Sequence, residues 1–195
     1  MRKSTGRGRI FVISGPSGAG KGTVVAGLMK RKPELILSVS ATTRPARPGE
    51  RHGIDYEFIS KPEFLARRYR GGFLEWAEVF DNLYGTPRAS VDQAVAQGKD
   101  VILELDIQGA LAVKRIRPEA VLVFIEPPSL EDLLLRLRGR GTEDPETISK
   151  RVKAAYEEVK NKGLYDYIVV NANVQEAEDE LVRILDEREN ERTEP

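Results

Sequence analysis

A glycine-rich stretch near the amino terminus, GPSGAGKGT at 15–23, constrains this chain more than any other feature. Glycine lacks a Cβ atom, so its backbone can approach a bulky anion and can adopt angles closed to other residues. An apolar run at 10–13 predicts a short buried strand before the stretch, and apolar residues at helical spacing follow it. A loop between a strand and a helix directs backbone N–H groups and the positive end of the helix dipole at one point. The sequence therefore predicts a phosphate-binding loop in which Lys21 reaches the terminal phosphates.

The loop departs from the general phosphate-loop pattern at one position. Gly15, Gly20 and Lys21 match G-x-x-x-x-G-K-[ST], but Gly22 stands where a hydroxyl that binds Mg²⁺ is expected, and Thr23 follows one place late. We therefore expect Mg²⁺ to be held by phosphates and waters, with little direct ligation by the protein. A structural turn with a solvated lysine is the alternative, and the strand before the loop and the helix after it favour a nucleotide site. The other loop residues predicted to contact the nucleotide are Pro16, Ser17, Gly18 and Ala19.

Composition excludes several classes of protein. The 31 basic residues balance the 31 acidic ones, which is not typical of a general nucleic-acid binder. The absence of cysteine excludes disulfides and thiolate metal sites and leaves the cytoplasm as the expected compartment. The single histidine, His52, excludes multi-histidine metal sites and is interpreted as a solvated loop residue. No apolar run approaches the roughly 20 residues needed to cross a bilayer, so we expect no membrane association.

Short apolar runs alternate with helical patterns along much of the chain. The runs LILSV, VILEL, AVLVFI and YIVVN begin at positions 35, 101, 120 and 167, and their composition is typical of parallel strands covered on both faces. One helical pattern opens with Ser129 and Asp132 spaced as a capping box. Another carries apolar residues at 177, 181, 184 and 185. This alternation predicts an α/β domain of three layers with a parallel sheet.

Residues 40–98 interrupt that alternation. DYEFIS and FLEWAEVF are interpreted as antiparallel strands separated by a helical stretch at 62–70, and Thr86 with Pro87 is interpreted as the cap and first turn of a helix. The sequence therefore predicts an inserted subdomain of mixed structure. A second irregular piece, RLRGRGTEDPET, is rich in arginine and glycine and is expected to close over bound phosphates, with Asp144 and Pro145 starting the next helix.

Two arginines in the segment SVSATTRPARPGERHGIDYEF suggest a second anion site. With proline and glycine fixing the backbone between them, the guanidinium groups of Arg44 and Arg47 can bind one phosphate bidentately. Hydroxyl groups of Ser40 and Tyr56 can support them. A solvated charged loop is the alternative for this segment taken alone.

Taken together, these residues resemble the guanylate kinase family over about 10–185. The resemblance is carried by GPSGAGKGT, SVSATTRPARPGERHGIDYEF, FLEWAEVFDNLYGTP, LELDIQGA, FIEPPS, RLRGRGTE and YIVVN, in this order and spacing. It implies a three-layer P-loop fold with a parallel sheet core, an inserted mixed α+β GMP-binding subdomain and a small helical lid. The implied domain spans 8–188, with a core of 8–39 and 99–188, an insert of 40–98, a lid of about 136–151, and flexible tails at 1–7 and 189–195.

The resemblance also implies a reaction. The family transfers the γ-phosphoryl group of ATP to GMP, giving ADP and GDP, with Mg²⁺. For this chain we therefore expect a cytoplasmic enzyme of purine nucleotide metabolism and GMP recycling that also accepts dGMP. Its expected partners are GMP and ATP, with neither nucleic acid nor membrane, and the sequence leaves open whether it is a monomer or a homo-oligomer.

By the same resemblance, the roles of individual residues are assigned as follows. The GMP phosphate is held by Ser40, Arg44, Arg47, Tyr56 and Tyr84. The guanine is faced by Glu75, Thr86 and Asp106, and the wider substrate-binding set includes Glu50 and Glu104. Asn171 lines the adenine pocket. The catalytic set is Lys21, Arg44, Arg47, Arg136, Arg140 and Arg151, in which the last three are cations on the lid side.

Guanine chemistry agrees with these assignments. Guanine presents adjacent N1–H and N2–H₂ donors to a carboxylate, and an O6 acceptor to a hydroxyl, whereas adenine would leave such groups unpaired. An exposed strand position remains the alternative for Glu75, and a helix cap for Thr86. Two positions depart from the family pattern. Glu104 stands where many relatives have aspartate, and Ala172 with Asn173 replaces an acidic pair.

Two rival functions belong to other classes. DIQG at 106–109 imitates the D-x-x-G of GTP-binding switch proteins, but the only candidate for N-K-x-D, at 161–164, ends in leucine. A non-catalytic guanylate kinase-like interaction module is the second rival, and the intact loop with Lys21 argues against it.

Overall fold

The computed structural model describes residues 6–79, 81–139, 153 and 155–191. The predicted lid beyond residue 139, including the helix start at Asp144 and Pro145, lies outside these residues, as do Arg140 and Arg151.

Nine strands and six helices form the described regular structure. The strands are β1 (Ile10–Ser14), β2 (Ile36–Leu37), β3 (Ala41–Thr42), β4 (Glu57–Phe58), β5 (Phe73–Val79), β6 (Asn82–Pro87), β7 (Val101–Glu104), β8 (Val121–Glu126) and β9 (Tyr167–Val170). The helices are α1 (Lys21–Arg31), α2 (Lys61–Tyr69), α3 (Arg88–Ala96), α4 (Ile107–Ile116), α5 (Leu130–Gly139) and α6 (Val174–Glu191). Residues 155–159 are also helical, and Lys162–Leu164 form a short 3₁₀ turn.

The apolar runs of the sequence form the predicted parallel sheet, in which five strands lie in the order β2-β7-β1-β8-β9. Its strands are parallel, with Ile36 opposite Val101 and Val123 opposite Tyr167. Strands β1 and β8 are buried along almost their whole length, as expected for a sheet covered on both faces. The edge strand β9 differs, because Ile168 and Val170 are about half exposed.

Strands β3 to β6 form a separate four-stranded sheet in the order β4-β3-β6-β5, which confirms a subdomain of mixed structure. The sequence predicts that DYEFIS and FLEWAEVF are antiparallel strands. They form β4 and β5, and the prediction is wrong. Strand β4 pairs in parallel with β3, and β5 pairs antiparallel with β6. Phe64 of α2 stacks on Phe73 with ring centroids 4.4 Å apart, and both pack with Ala41 and Leu83 in the core of this sheet.

Side-chain caps explain where two helices begin. Ser60 accepts a hydrogen bond from the Glu63 N–H ahead of α2 at 3.3 Å. Ser129 accepts one from the Asp132 N–H at 3.0 Å, as predicted, while the Ser129 hydroxyl donates to the Asp132 carboxylate. The prediction that Thr86 caps a helix is wrong. Thr86 lies in β6, and its hydroxyl bonds to another side chain, described below.

Contacts divide the chain into two compact units. The first takes in the residues up to Phe11, Glu34–Leu103 and Gln108–Ala120, and it contains the four-stranded sheet. The second takes in Val12–Pro33, Glu104–Ile107 and the residues from Val121 onward, and it contains the glycine-rich loop. The boundaries predicted from the sequence remain a prediction. Among the helices of the described residues, none is both long and apolar enough to span a bilayer.

Candidate active site

The glycine-rich loop of the second unit connects β1 to α1, as the sequence predicts. Gly15 has a φ of 137°, and a Cβ atom added there would lie 2.2 Å from the carbonyl oxygen of Ile125. Gly20 has a φ of 88°, and an added Cβ would lie 2.5 Å from Nδ2 of Asn171. Both positions therefore require glycine, for backbone angle and for space. The path of the loop is set by its close approach to β8 and to the residue after β9.

The start of α1 is suited to a negative ligand. In the described structure no side chain caps the first turn, and that turn contains no acidic residue. No acidic side chain of this turn therefore offsets the positive end of the helix dipole. This is the arrangement of helix N-termini that bind phosphate.

Lys21 lies back across the loop. Its Nζ donates to the carbonyl oxygen of Gly15 at 2.6 Å and to that of Pro16 at 3.2 Å. Glu104, at the end of β7, lies near this ammonium group and near Gly22, where an added Cβ would lie 3.6 Å from Oε1. Burial raises the pKa of the Glu104 carboxyl, and the charge of Lys21 offsets part of this effect. Glu104 thus belongs to the phosphate-loop side of the site.

Asn171 and Arg136 bind the other end of the loop. Asn171 is 1% exposed, and its Nδ2 donates to the Ala19 carbonyl at 2.7 Å. Arg136 donates to the carbonyl oxygens of Asn171 at 2.8 Å and of Ala19 at 3.4 Å. The Oδ1 of Asn171 is buried and has no hydrogen-bond partner within the described part of the chain. A buried acceptor without a partner is costly, so this atom points to a ligand that donates a hydrogen bond.

In the first unit, Arg44 and Glu50 form a bidentate ion pair. The two guanidinium nitrogens lie 3.0 and 2.8 Å from the carboxylate oxygens, and the Arg47 N–H donates to the same carboxylate at 2.7 Å. The hydrogen bond from Arg44, and then that from the Arg47 backbone, holds the pKa of Glu50 below its usual value. The Arg44 guanidinium also lies 5.5 Å from the Tyr56 ring, and the Tyr56 and Tyr84 ring centroids are 6.0 Å apart. Three predicted phosphate ligands, Arg44, Tyr56 and Tyr84, therefore lie together with Glu50.

Glu75 and Thr86 face each other across the β5–β6 hairpin. Glu75 is 7% exposed and Thr86 is 1% exposed. Oε1 of Glu75 accepts from the Thr86 hydroxyl at 2.6 Å and from the Thr86 N–H at 3.1 Å. The alternative that Glu75 is an exposed strand residue is therefore excluded. Two hydrogen bonds from one residue fix the direction of a buried carboxylate.

The remaining predicted residues are less tightly grouped. Ser40 is half-buried, and its carbonyl oxygen accepts from the Glu57 N–H at 2.9 Å. The Arg47 side chain is exposed. Asp106 belongs to the second unit, where its charge acts on Glu158 and Tyr165.

Two residues of this region were missed by sequence reasoning. Glu158 lies within electrostatic range of Lys21 and Asp106, and burial raises the pKa of its carboxyl. Tyr165 donates to the buried Ser14 hydroxyl at 3.0 Å, and burial raises its pKa to about 12. No sequence signal marks Glu158, which is one acidic residue among several in a charged segment. Tyr165 precedes the YIVVN run, and its position before a strand that ends at the site was the available signal.

Comparisons with known proteins match most of the chain. The family model for guanylate kinase matches residues 7–188. A guanylate kinase from Thermus thermophilus is 52% identical over 179 residues, which cover 92% of this chain and 81% of the relative. One from Clostridium perfringens is 49% identical and covers 92% and 83%.

A solved structure extends the similarity to the fold. The crystal structure of guanylate kinase from Anaplasma phagocytophilum has a TM-score of 0.78 and 36% identity, and the match covers 97% of this chain and 88% of that one. The family model spans most of the chain, and the relatives reach 52% and 49% identity, each over 179 residues. With the glycine-rich loop and the buried Glu75 already described, these matches establish that the chain belongs to the guanylate kinase family.

Proposed function

We propose that this chain catalyses the transfer of the γ-phosphoryl group of ATP to GMP, giving ADP and GDP. One observation carries the proposal. The loop before α1 requires glycine at positions 15 and 20 and brings Lys21 to a helix N-terminus that no described side chain caps. A loop of this kind binds the phosphates of a nucleotide. A module that only held protein partners would have no need for it.

ATP is the proposed ligand of the second unit. The loop N–H groups and Lys21 bind its phosphates, and Lys21 exchanges the carbonyl oxygens of Gly15 and Pro16 for phosphate oxygens. The unpartnered Oδ1 of Asn171 suits the N6 amino group of adenine, because that group is a hydrogen-bond donor. Arg136, bonded to the Asn171 and Ala19 carbonyls, supports this end of the site.

Mg²⁺ is the proposed metal, and the residues present fit an ion held mainly by the nucleotide. Among the described residues, no group of three His, Cys, Asp or Glu side chains is arranged to hold a metal ion. Gly22 supplies no hydroxyl, but the nearby Glu104 carboxylate can accept hydrogen bonds from water bound to the metal. When bound, Mg²⁺ neutralises charge on the β- and γ-phosphates.

The GMP phosphate is the proposed ligand of Arg44 and Arg47 in the first unit. A guanidinium group binds a phosphate through two parallel hydrogen bonds, and the hydroxyls of Ser40, Tyr56 and Tyr84 complete the set. Glu50 has a different proposed role, because a carboxylate repels a phosphate. Its bonds to the Arg44 side chain and the Arg47 backbone make it a positioning residue for both arginines.

Guanine is read by Glu75 in this proposal. The buried carboxylate accepts from the guanine N1–H and N2–H₂ groups, and its two bonds from Thr86 keep it in position. Adenine has an acceptor at N1, so each unpaired polar group would cost about 1–3 kcal/mol. The hydroxyl proton of Thr86 is already donated to Glu75, so the O6 acceptor requires another donor. Asp106 is proposed as a second carboxylate for the guanine amino group.

The chemical step needs positioning and charge neutralisation. The GMP phosphate is itself an anionic nucleophile, so no general base is required. The transferring group spreads negative charge over its oxygens, and Lys21, Arg44 and Arg47 are proposed to stabilise it. Arg136, Arg140 and Arg151 are proposed to act on the same charge, and Arg136 must then release its carbonyl partners. Water must be excluded, because otherwise ATP would be hydrolysed without an acceptor.

The metabolic role, the compartment and a second acceptor are also proposed. We assign the reaction to purine nucleotide metabolism and GMP recycling in the cytoplasm, in keeping with a cysteine-free chain. None of the proposed contacts uses the ribose 2′-hydroxyl, so dGMP is a proposed second acceptor.

An acceptor panel tests the proposal. ADP release is measured with ATP, Mg²⁺ and each of GMP, AMP, UMP and CMP, with Lys21→Met as the inactive control. For a guanylate kinase, we expect rapid ADP release when the acceptor is GMP and slow release with each of the other three acceptors. In a parallel reaction with GTP in place of ATP, slow hydrolysis that does not depend on an acceptor would indicate a switch protein. GMP binding without turnover would indicate an interaction module.

A further inference from the structure

His52, the single histidine of the chain, is hydrogen-bonded to the edge of the four-stranded sheet. Strand β4 lies at that edge, and the Glu57 and Ile59 N–H groups donate to carbonyl oxygens in and just before β3, both at 2.9 Å. The Phe58 N–H, between these two, faces the open edge. It donates to Nδ1 of His52 at 3.2 Å. The imidazole thus supplies the acceptor that a further strand would supply.

The segment that His52 holds carries Tyr56. The Gly53 N–H donates to the Tyr56 carbonyl oxygen at 2.8 Å, so the backbone that follows the Tyr56 side chain is bonded twice to residues 52–53. The Tyr56 ring lies beside the Arg44 guanidinium and near the Tyr84 ring. These bonds therefore fix the backbone that presents Tyr56 to the predicted anion site.

The bond to the Phe58 N–H depends on the protonation state of the imidazole. An imidazole accepts a hydrogen bond only through an unprotonated nitrogen, and its charged form has an N–H group at both ring positions. Histidine is the side chain whose charge ordinarily changes between about pH 5 and 8. A protonated His52 therefore cannot accept from Phe58, and the N–H group at the sheet edge loses its partner.

The charged groups near His52 lie in its own segment and on β4 and α2. A cavity of about 350 Å³ lies beside His52, and among its described lining residues Glu57 has the only titratable side chain besides His52. Glu57 pairs with Arg67 at 2.7 Å. Within the segment, the Arg51 N–H donates to the Asp55 carboxylate at 2.7 Å. All these charges are unchanged when His52 is replaced, so a comparison between variants isolates the imidazole.

We propose that His52 is a positioning residue for the GMP phosphate site, holding the backbone beside Tyr56 only while its Nδ1 is unprotonated. The inference rests on the proposed function, because it takes Arg44, Tyr56 and Tyr84 to bind that phosphate. Protonation of His52 releases the Phe58 N–H, so the backbone that carries Tyr56 is held less firmly and GMP binds more weakly. The affinity for GMP therefore decreases in mildly acidic solution.

Steady-state kinetics of the full chain at about pH 8 test the hydrogen bond. His52→Ala removes the acceptor, whereas His52→Asn retains one, because an amide oxygen can take the place of Nδ1 and does not titrate. Ile54→Ala is the matched control, because Ile54 is exposed in the same segment. We expect the KM for GMP to rise about fivefold in His52→Ala, as for the loss of one hydrogen bond, and the KM for ATP to stay constant. His52→Asn and Ile54→Ala should leave both KM values unchanged. An unchanged KM for GMP in His52→Ala, or an equal rise in His52→Asn, would overturn the inference.

A pH series supplies a second readout. The phosphate of GMP also changes charge in this range, so each KM is compared with that of His52→Asn at the same pH. Between about pH 8 and about pH 5.5, the wild-type KM for GMP should rise about threefold relative to His52→Asn and approach that of His52→Ala. A constant ratio, or a relative fall because the imidazolium attracts the phosphate, would overturn the inference alone. A wild-type chain that neither binds GMP nor phosphorylates it would overturn the inference and the proposed function together.

Discussion

Replacing Glu75 with glutamine should greatly weaken recognition of guanine without unfolding the subdomain that contains Glu75. Glutamine has nearly the same shape, and its amide oxygen can still accept the two hydrogen bonds from Thr86, at 2.6 and 3.1 Å in the wild-type structure. Its amide NH₂ group, however, replaces a carboxylate oxygen that would accept from guanine. The glutamine NH₂ group then faces an N–H donor of guanine, and no hydrogen bond forms between them.

The expected size of the effect follows from the two guanine donors. Each charge-assisted hydrogen bond to a buried carboxylate contributes about 1.5–3 kcal/mol, so replacing one by a donor–donor contact and removing the charge from the other costs about 3–6 kcal/mol. At 1.4 kcal/mol for each tenfold change, kcat/KM for GMP should fall by roughly 10²- to 10⁴-fold. The preference for GMP over AMP should narrow, because the new NH₂ group can donate to adenine N1.

The assay is a coupled measurement of ADP release with GMP varied at saturating ATP, and then with ATP varied. Glu78→Gln is the control, since Glu78 lies on the same strand and is exposed. We expect normal kinetics in that control and a normal KM for ATP in both variants. A loss below about fivefold for GMP, or an equal loss for ATP and GMP, would refute the assignment of guanine reading to Glu75.

Further predictions concern Lys21, two glycines with positive φ, and Tyr165. Lys21→Met should lower kcat by at least about 10²-fold with an unchanged circular dichroism spectrum, and a near-normal rate would remove Lys21 from the catalytic set. Gly49→Ala should lower Tm by about 2–8 °C, because a φ of 90° costs roughly 1–2 kcal/mol and nothing lies within 4 Å of the new Cβ. Gly15→Ala should lower Tm further and weaken ATP binding, because its Cβ would also collide with the Ile125 carbonyl at 2.2 Å, and equal shifts in the two variants would contradict this steric argument. The pKa of Tyr165 is raised to about 12, so its neutral form stabilises the fold below pH 10 and this stability is lost as pH rises from 10 to 12. Thermal melts should therefore show a steeper loss over that range in the wild-type chain than in Tyr165→Phe, and parallel curves would count against burial of the phenol.

Local sequence signals predicted the parallel sheet and the loop. The runs that became β1, β7, β8 and β9 are short, apolar and bounded by turns, so their strand character depends little on distant residues. The glycines at 15 and 20 indicate a phosphate-binding loop by themselves, since few functions require several residues without side chains next to a lysine.

Pairing between segments was harder to predict. NLYGTP contains glycine and proline, which normally end strands, and yet it forms β6 because β3 and β5 flank it and because Gly85 leaves room for Phe64 and Phe73. The role of Thr86 was mistaken for the same reason. A threonine before proline is typical of a helix start, and only the hairpin brings its hydroxyl to Glu75.

The candidate site residues stay a prediction, and the sequence did not indicate the ion pairs among them. The sequence shows that Arg44 and Glu50 are close along the chain, but not that the carboxylate binds the guanidinium through both oxygens. Glu158 gave no signal at all, since its proximity to Lys21 joins distant parts of the chain and depends on the tertiary fold.

The fate of the γ-phosphoryl group tests the central claim most directly. ATP carrying radioactive phosphorus at the γ-position is mixed with the chain, Mg²⁺ and GMP, and the products are separated by chromatography. We predict that the label moves into GDP in amounts equal to the ADP formed, and that no label is released when GMP is omitted. Label recovered as inorganic phosphate, or label remaining in ATP while GMP is bound, would contradict direct transfer between the two nucleotides.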